Sequence, residues 1–452
     1  MPKYFGTDGF RGEAGTVLTA HQAFCIGQFL AAHLRKPRSG ERIRAVIGKD
    51  TRRSGYMLEY AMAAGLTAGG ADAYMLHVTT TPCVSYITVK DGFDLGVMIS
   101  ASHNPYWDNG IKLVNCRGEK MDEETILQIE AALDRAAAGE ALPSAPVCRE
   151  EIGRIVDYAA GRNRYIAYLI SLSTHSYKGL RIALDCANGS AWMIARHVFE
   201  ALGATVLATG IDPDGLNINR GVGSTHIEHL RAHVKACHAD IGFAFDGDAD
   251  RCIAVDERGE VVNGDHILYI LAVRMAKCGT LTNNTIVTTV MSNLGLYRAL
   301  DRVGIGYVQT DVGDRFVYEN MRETGNALGG EQSGHIIVSK YATAGDGILT
   351  AILLMDAVLS EEQPLSKLAS PVQMLPQLTQ NLTVTDREAV MSDPLIQKKL
   401  ADMTEALAGG GRILLRKSGT EPVIRIMVEA ERDEDCRRIA DELASAIRTR
   451  GY

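Results

Sequence analysis

Three times along this chain an apolar run of strand composition gives way to a polar loop, a helical stretch, a glycine stop and a second apolar run. RIRAVIGKDTRRSG leads through MLEYAMAAGLTAGG to ADAYMLHV within residues 42–78. RIALDCANGS leads through AWMIARHVFEALG to ATVLATG within 181–210, and NTIVTTVMSN through LGLYRALDRVG to IGYVQTDVG within 284–313. Such units favour parallel sheets with helices on their faces, and three copies imply three related mixed or parallel-sheet α/β domains. The final segment differs. TQNLTVTD, a helical stretch through Gly409, RILLRKSGTEPVIRIMVEA and a charged helix at 433–448 read as a smaller α+β domain. Seams are expected in the Ala/Pro-rich stretch 136–153 and around 370–380, giving domains 1–150, 151–255, 256–369 and 370–452 about a central cleft. Ligands in such sheets sit at the carboxyl ends of strands.

The chemistry-bearing residues cluster in loops. In VMISASHNPYWDNGIK, residues 97–112, an apolar strand runs into a polar turn with Ser102 beside His103 and ten residues before Lys112. A lone serine hydroxyl is a weak nucleophile and needs a base and neutralising cations to exchange phosphoryl groups. The same turn also reads as plain punctuation at Asn104-Pro105, with an exposed hydroxyl that contributes little to stability. DGDADR, residues 246–251, follows the apolar run Ile241 to Phe245. Alternate positions of an extended segment can aim Asp246, Asp248 and Asp250 at one point, and three hard carboxylates suit Mg2+ or a similar ion. A calcium loop fails at Arg251, where such a loop needs glycine, and the flanks read as strands rather than helices. An aspartyl phosphatase with Asp246 as nucleophile and Asp248 as its acid is disfavoured by the third carboxylate, Asp250.

Two further loops carry polar recognition groups. GGEQSGH, residues 329–335, offers Glu331, Ser333 and His335 on a flexible segment, groups able to bond sugar hydroxyls or simply to populate a polar loop. RKSGTEPVIR, residues 416–425, places Arg416, Lys417, Ser418, Thr420 and Arg425 around Gly419. That set suits a phosphate, and equally a solvated turn between strands. His226, His229, His233 and Cys237 recur at helical spacing as a possible zinc set, although the segment reads as an ordinary half-exposed helix.

Composition narrows the classes. At 452 residues the chain is too long for one ordinary domain, and a formal net charge of -8 argues against a nucleic-acid partner, so positive sites must be local. Nine scattered cysteines without a CxxC pair suggest reduced thiols in the cytoplasm. The start MPKYFGTDGF has no apolar core of a signal peptide, and ILTAILLMDAVL at 348–359 is short and contains Asp356, so no membrane span is expected.

Taken together with KYFGTDGFRG at 3–12, these four segments resemble the alpha-D-phosphohexomutase superfamily in order and spacing over the whole chain. TDGFRG, Gln332 within GEQSGH and RKSGTEP resemble the amino-sugar branch more than the branch acting on neutral hexose phosphates, which typically has Met where Gln332 stands. The resemblance implies an intramolecular phosphotransferase that interconverts glucosamine 6-phosphate and glucosamine 1-phosphate, feeding amino-sugar nucleotide and cell-wall precursor synthesis. The alternative it leaves is a phosphomannomutase/phosphoglucomutase. It implies a phosphorylated Ser102 completing a Mg2+ site with the three aspartates, and a glucosamine or glucose 1,6-bisphosphate as intermediate and primer. Arg11, Lys112 and Arg251 would balance charge on the moving phosphoryl group, with His103 or His335 as acid/base. Glu331, Ser333 and His335 would grip the sugar, and Arg416, Ser418, Gly419, Thr420 and Arg425 its other phosphate. The implied partner is a small phosphosugar rather than nucleic acid or membrane, the protein being a monomer or homodimer whose four domains open and close around the cleft. Where neutral-hexose relatives carry a loop like GHSxxK, this chain has VGDRFV at 312–317, so Arg315 or Asp314 is expected to take over part of that loop's sugar recognition.

Overall fold

The computed structural model describes residues 3–6, 8–35, 42–142, 147–417 and 422–452. They form two compact units, one of residues 1–290 with 307–369 and one of 291–306 with 370–452.

The first unit begins with a seven-stranded sheet. Its strands are β1 (Phe5–Gly6), β2 (Gly9–Glu13), β3 (Arg44–Lys49), β4 (Asp72–Val78), β5 (Leu95–Ile99), β6 (Asp108–Asn115) and β7 (Ile155–Asp157), in the order β1-β2-β6-β5-β3-β4-β7. Helices α1 (Ala20–His33), α2 (Ser54–Ala68), α3 (Thr81–Lys90) and α4 (Glu123–Ala137) complete it. Strand β3 pairs in parallel with both β4 and β5, while β6 turns back antiparallel on β5. All five residues of β5 are buried, as expected of an apolar strand covered on both faces. Thr19 starts α1 through a capping box with Gln22. Helices α1 and α2 approach closely at Gly65, where a Cβ would lie 2.1 Å from the Phe24 carbonyl oxygen.

A second sheet holds β8 (Arg181–Asp185), β9 (Thr205–Thr209), β10 (Ile241–Phe245), β11 (Cys252–Val255) and β12 (Val261–Val262), in the order β12-β11-β10-β8-β9. Around it are α5 (Ala159–Leu172), α6 (Ala191–Ala201) and α7 (Ile227–Cys237). The expected repeat unit is present as parallel β8 and β9 joined through α6. Strands β10 and β11 form an antiparallel pair, and the aspartate segment is the turn between them. The third sheet orders β14 (Gly306–Thr310), β13 (Thr285–Thr289), β15 (Leu328–Gly330) and β16 (Ile336–Val338), beside α8 (Gly264–Lys277), α10 (Asp314–Thr324), α11 (Gly347–Glu361) and α12 (Leu365–Ala369).

The second unit is the smaller α+β body. Its antiparallel strands β17 (Gln377–Thr383), β18 (Arg412–Lys417) and β19 (Val423–Glu429) run in the order β17-β19-β18, with α13 (Arg387–Ser392), α14 (Pro394–Ala406) and α15 (Asp433–Thr449). Ile439, Leu443 and Ile447 of α15 share one buried face. Helix α9 (Leu294–Val303) belongs to the third repeat unit in sequence but groups with this body. Glu429, fully buried, explains the attachment: it accepts the Leu294 amide at 3.1 Å, Gln377 Nε2 at 2.7 Å and Arg412 Nε at 2.8 Å. Among the described residues, no helix is long and apolar enough to cross a membrane.

Candidate active site

Beyond β5 the chain turns at Ser102, whose φ of 52° is left-handed. The side chain is wholly buried, which corrects the expected exposed hydroxyl. Burial follows because the β10–β11 turn of the second sheet lies directly on the serine turn. A Cβ on Gly247 would sit 2.4 Å from the Ser102 carbonyl oxygen, so only glycine permits this approach. Ser102 Oγ donates to Asp246 Oδ2 in a short contact and lies 3.4 Å from His103 Nδ1.

Carboxylate oxygens of Asp246, Asp248 and Asp250 lie within 4.8 Å of one another, all three residues buried. Lys112 Nζ donates to Asp248 Oδ2 at 2.7 Å and to Asp250 Oδ2 at 3.2 Å, and Thr81 Oγ1 donates to Asp248 Oδ2. Among the described residues, Asp248 Oδ1 and Asp250 Oδ1 are buried without a hydrogen-bond partner. Burial, then the charges of Asp250 and Asp248, push the Asp246 carboxyl well above its ordinary value. Burial also opposes ionisation of Asp250, but Lys112 and other cations hold it below the usual range. Three converging carboxylates with orphaned hard oxygens fit a divalent cation of the Mg2+ type.

Cations and acids alternate around this nest. Arg251 Nη1 lies 3.2 Å from His103 Nδ1, and the Arg251 amide donates to Asp246 Oδ1 at 3.2 Å. Burial, then Arg251 and Arg11, lower the His103 imidazole to about 4, so it is neutral at pH 7. Arg11 bonds Asp8, which also takes Lys120 Nζ at 3.0 Å and Lys112 Nζ at 3.3 Å. Lys120 reaches on to Asp314 Oδ1 at 2.7 Å, and Asp314 Oδ2 lies 3.4 Å from His335 Nε2. His335 Nε2 accepts the Gly345 amide at 2.9 Å while Nδ1 faces Asp250 Oδ2 at 3.9 Å. Asp314 is thus tied to the nest, whereas Arg315 pairs with Glu319 at 2.7 Å and Glu123 at 3.4 Å.

Glu331 and Ser333 are only partly covered. Glu331 Oε1 accepts the Gly313 amide at 3.1 Å, and Ser333 Oγ lies 3.4 Å from Glu331 Oε2. In the second unit, Arg416 and Arg425 stand opposite each other on β18 and β19; Ser418, Gly419 and Thr420 lie outside the described residues. The histidines of α7 point to separate partners, His229 Nδ1 to Asp185 Oδ2 at 2.9 Å and His233 Nε2 to the Leu207 carbonyl at 3.1 Å. No local motif marks Asp50, Arg52, Thr81 or Asn219, which meet the serine or aspartate turn, or Lys120, which joins the nest through Asp8 and Lys112. For Asp50 and Arg52 a signal did exist: they follow β3 at its carboxyl end, where ligands gather in parallel sheets.

Three α/β domains, an α+β body and a buried serine on a carboxylate nest define a multidomain phosphoryl-transfer enzyme. Models of the phosphoglucomutase/phosphomannomutase α/β/α domains I, II and III match residues 2–140, 163–259 and 263–374, and that of the C-terminal domain matches 380–446. The chain belongs to the phosphoglucomutase/phosphomannomutase family, the alpha-D-phosphohexomutases. It is 55% identical to a phosphoglucosamine mutase of Lachnospira eligens over the full length of both chains. To a phosphoglucosamine mutase of Bacillus subtilis it is 46% identical over 99% of each chain. Among solved structures, a phosphoglucomutase/phosphomannomutase family protein of Burkholderia thailandensis superposes with a TM-score of 0.80 at 25% identity, covering 99% of this chain and 98% of that one.

Proposed function

We propose that this chain interconverts glucosamine 6-phosphate and glucosamine 1-phosphate through a phosphorylated Ser102 and a 1,6-bisphosphate intermediate. The observation that carries the reading is the seat of Ser102 Oγ against Asp246, inside a nest of three aspartates flanked by Lys112. Full-length similarity to phosphoglucosamine mutases supports the amino sugar as substrate.

In the first half-reaction the sugar 1-oxygen attacks phosphorus, the Oγ–P bond breaks and the O1–P bond forms. The proton leaves the 1-hydroxyl and the serine oxygen regains one, so charge and atoms balance. After the bisphosphate turns end for end, Ser102 Oγ takes the 6-phosphoryl group, loses its proton, and the sugar 6-oxygen gains one. His103, neutral and 3.4 Å from Oγ, is placed to relay that proton, with His335 as the second candidate. Arg11, Lys112 and Arg251 offset charge on the phosphoryl group in flight, since such transfer is mainly positioning and electrostatics. Asp246, Asp248, Asp250 and the serine phosphate would hold Mg2+, whose contribution is to neutralise the transferring oxygens. Glu331, Ser333 and His335 bond sugar hydroxyls in both orientations. The phosphate that is not reacting is assigned to Arg416 and Arg425, which stand opposite each other on β18 and β19.

The test is kcat/KM of the Mg2+-loaded, bisphosphate-primed protein for glucosamine 6-phosphate beside mannose 6-phosphate and glucose 6-phosphate. A preference of about a hundredfold for the amino sugar is expected, roughly 2.7 kcal/mol of transition-state discrimination. Preference for either neutral sugar would keep the phosphoserine chemistry and reject the substrate.

A further inference from the structure

Arg52 is fully buried, and among the described residues its hydrogen bonds reach neither the three aspartates nor residues 331–335. Its guanidinium is spent on the backbone of the serine turn. Nε donates to the Asp108 carbonyl at 2.8 Å, and Nη2 donates to the carbonyls of Ser102 at 3.1 Å and Asn104 at 2.5 Å. Nη1 donates to Asp50 Oδ2 at 2.5 Å, and Asp50 Oδ1 accepts the Arg52 amide at 2.9 Å. Asp50 Oδ2 also accepts Ser100 Oγ at 2.6 Å, and Ser100 Oγ in turn accepts the Ser102 amide at 2.9 Å. Both polar groups of the Ser102 peptide are therefore tied into one ring of bonds that closes through Arg52 and Asp50. From the second sheet's side, Asn219 Nδ2 donates to the same two carbonyls, Ser102 at 2.9 Å and Asn104 at 3.1 Å.

The topology explains how residues 50 positions apart meet. Strands β3 and β5 are parallel neighbours, Lys49 opposite Ile99, so their carboxyl-end loops emerge side by side. The Ser102 backbone is left-handed, a conformation that L side chains adopt only under constraint. Asp50 cancels the charge of Arg52, which makes the guanidinium a geometric brace rather than a counter-charge for phosphate. A planar fork is needed to serve Asp108, Asp50, Ser102 and Asn104 at once, and an ammonium cannot do so.

We propose that Arg52, braced by Asp50 and seconded by Asn219, is the positioning residue that locks the Ser102 peptide in its left-handed conformation and so aims Oγ at Asp246. The inference rests on Ser102 being the phosphoryl carrier. Misplacing a reacting atom by about 1 Å costs on the order of a hundredfold in rate, so the expected signature is a loss in kcat with binding kept.

Arg52→Lys, Asn219→Ala and Ser102→Ala are to be made in the full chain. For each, kcat and KM for glucosamine 6-phosphate, thermal midpoint, and phosphate on Ser102 by intact mass after priming with glucose 1,6-bisphosphate are measured. Arg52→Lys should lower kcat about a hundredfold and slow phosphate loading in step, with KM within about threefold. Asn219→Ala should lower kcat about tenfold with KM held. Wild-type kcat in Arg52→Lys overturns the proposal, as does a loss matched by the unfolded fraction at assay temperature. If Arg52→Lys does not fold, Asn219→Ala decides alone, and wild-type kcat there overturns it. An active Ser102→Ala would instead sink the phosphoserine reading itself, so the two failures are distinguishable.

Discussion

The serine turn and the sugar loop meet water differently. Ser102, Asp246, Asp248 and Asp250 are all buried, and the serine peptide is bonded at both its amide and its carbonyl. The Glu331 peptide is likewise bonded, to the His335 carbonyl and the Gly334 amide, each at 3.0 Å. The side chains of Glu331 and Ser333, however, are half-exposed, Glu331 accepting the Gly313 amide at 3.1 Å and lying 3.4 Å from Ser333 Oγ. The difference fits what the proposed reaction asks of each. Groups that stabilise charge in a phosphoryl transfer act best when fixed beforehand, because reorganising dipoles during the reaction costs rate. Groups that must grip one sugar in two orientations need freedom and an open face. On the proposed reaction, fixed groups stand where charge moves, and exposed side chains where the ligand turns.

Three substitutions press on that contrast. Ser102→Ala should lower turnover about 10,000-fold or more, read as 1-phosphate formation, because it removes the proposed phosphoryl carrier. Its stability cost should be only about 1 to 2 kcal/mol, the loss of one donor to a buried carboxylate, measured by denaturant unfolding. Asp248→Asn comes next. It removes one ligand oxygen and the charge that Lys112 meets at 2.7 Å, so half-saturating Mg2+ should rise at least about tenfold and kcat should fall about 100- to 1,000-fold. An unchanged Mg2+ titration would move the ion elsewhere. Glu331→Gln should cost about 10- to 100-fold in kcat/KM while leaving Mg2+ response and Ser102 phosphorylation intact. A shifted Mg2+ response in that variant would break the division between a fixed reacting end and a compliant recognition loop.

What the chain disclosed before its structure divides along a similar line. Three repeat units, the α+β ending and the strand flanks of the aspartate turn were readable because each depends on contiguous periodicity and turn chemistry. Asp246, Asp248 and Asp250 share one turn, so their convergence is local. The burial of Ser102 was not readable, since it arises when the aspartate turn, about 145 positions later, lies on it through Gly247. Arg52 and Asn219 escaped for the same reason: a polar residue in a polar loop carries no mark of the carbonyls it will meet. Helix α9 shows the limit for domains, because a repeat pattern fixes an element's type but not which body the element joins.

The smallest effect separates two ways of burying an acid. Asp346 caps α11, accepting the Leu349 amide at 2.9 Å and the Tyr165 hydroxyl at 2.7 Å. Burial raises its carboxyl from 3.8 to about 6, the bonds from Leu349 and Tyr165 only partly opposing that. Its bonded partners are neutral, unlike those of Asp248 and Asp250, which face Lys112. A carboxyl raised on folding lends stability that is fully present below its unfolded value near 3.8 and is lost as pH rises through about 6. By pH 8 the ionised carboxylate should cost on the order of 3 kcal/mol relative to acid conditions. Asp346→Asn keeps an amino-terminal cap and cannot ionise. Its thermal midpoint should therefore gain on the wild type between pH 4 and pH 7 and then run parallel to it. A constant difference across that range would mean that the acid is already neutralised by a cation, and the distinction between an acid buried for packing and acids buried for a metal would fail.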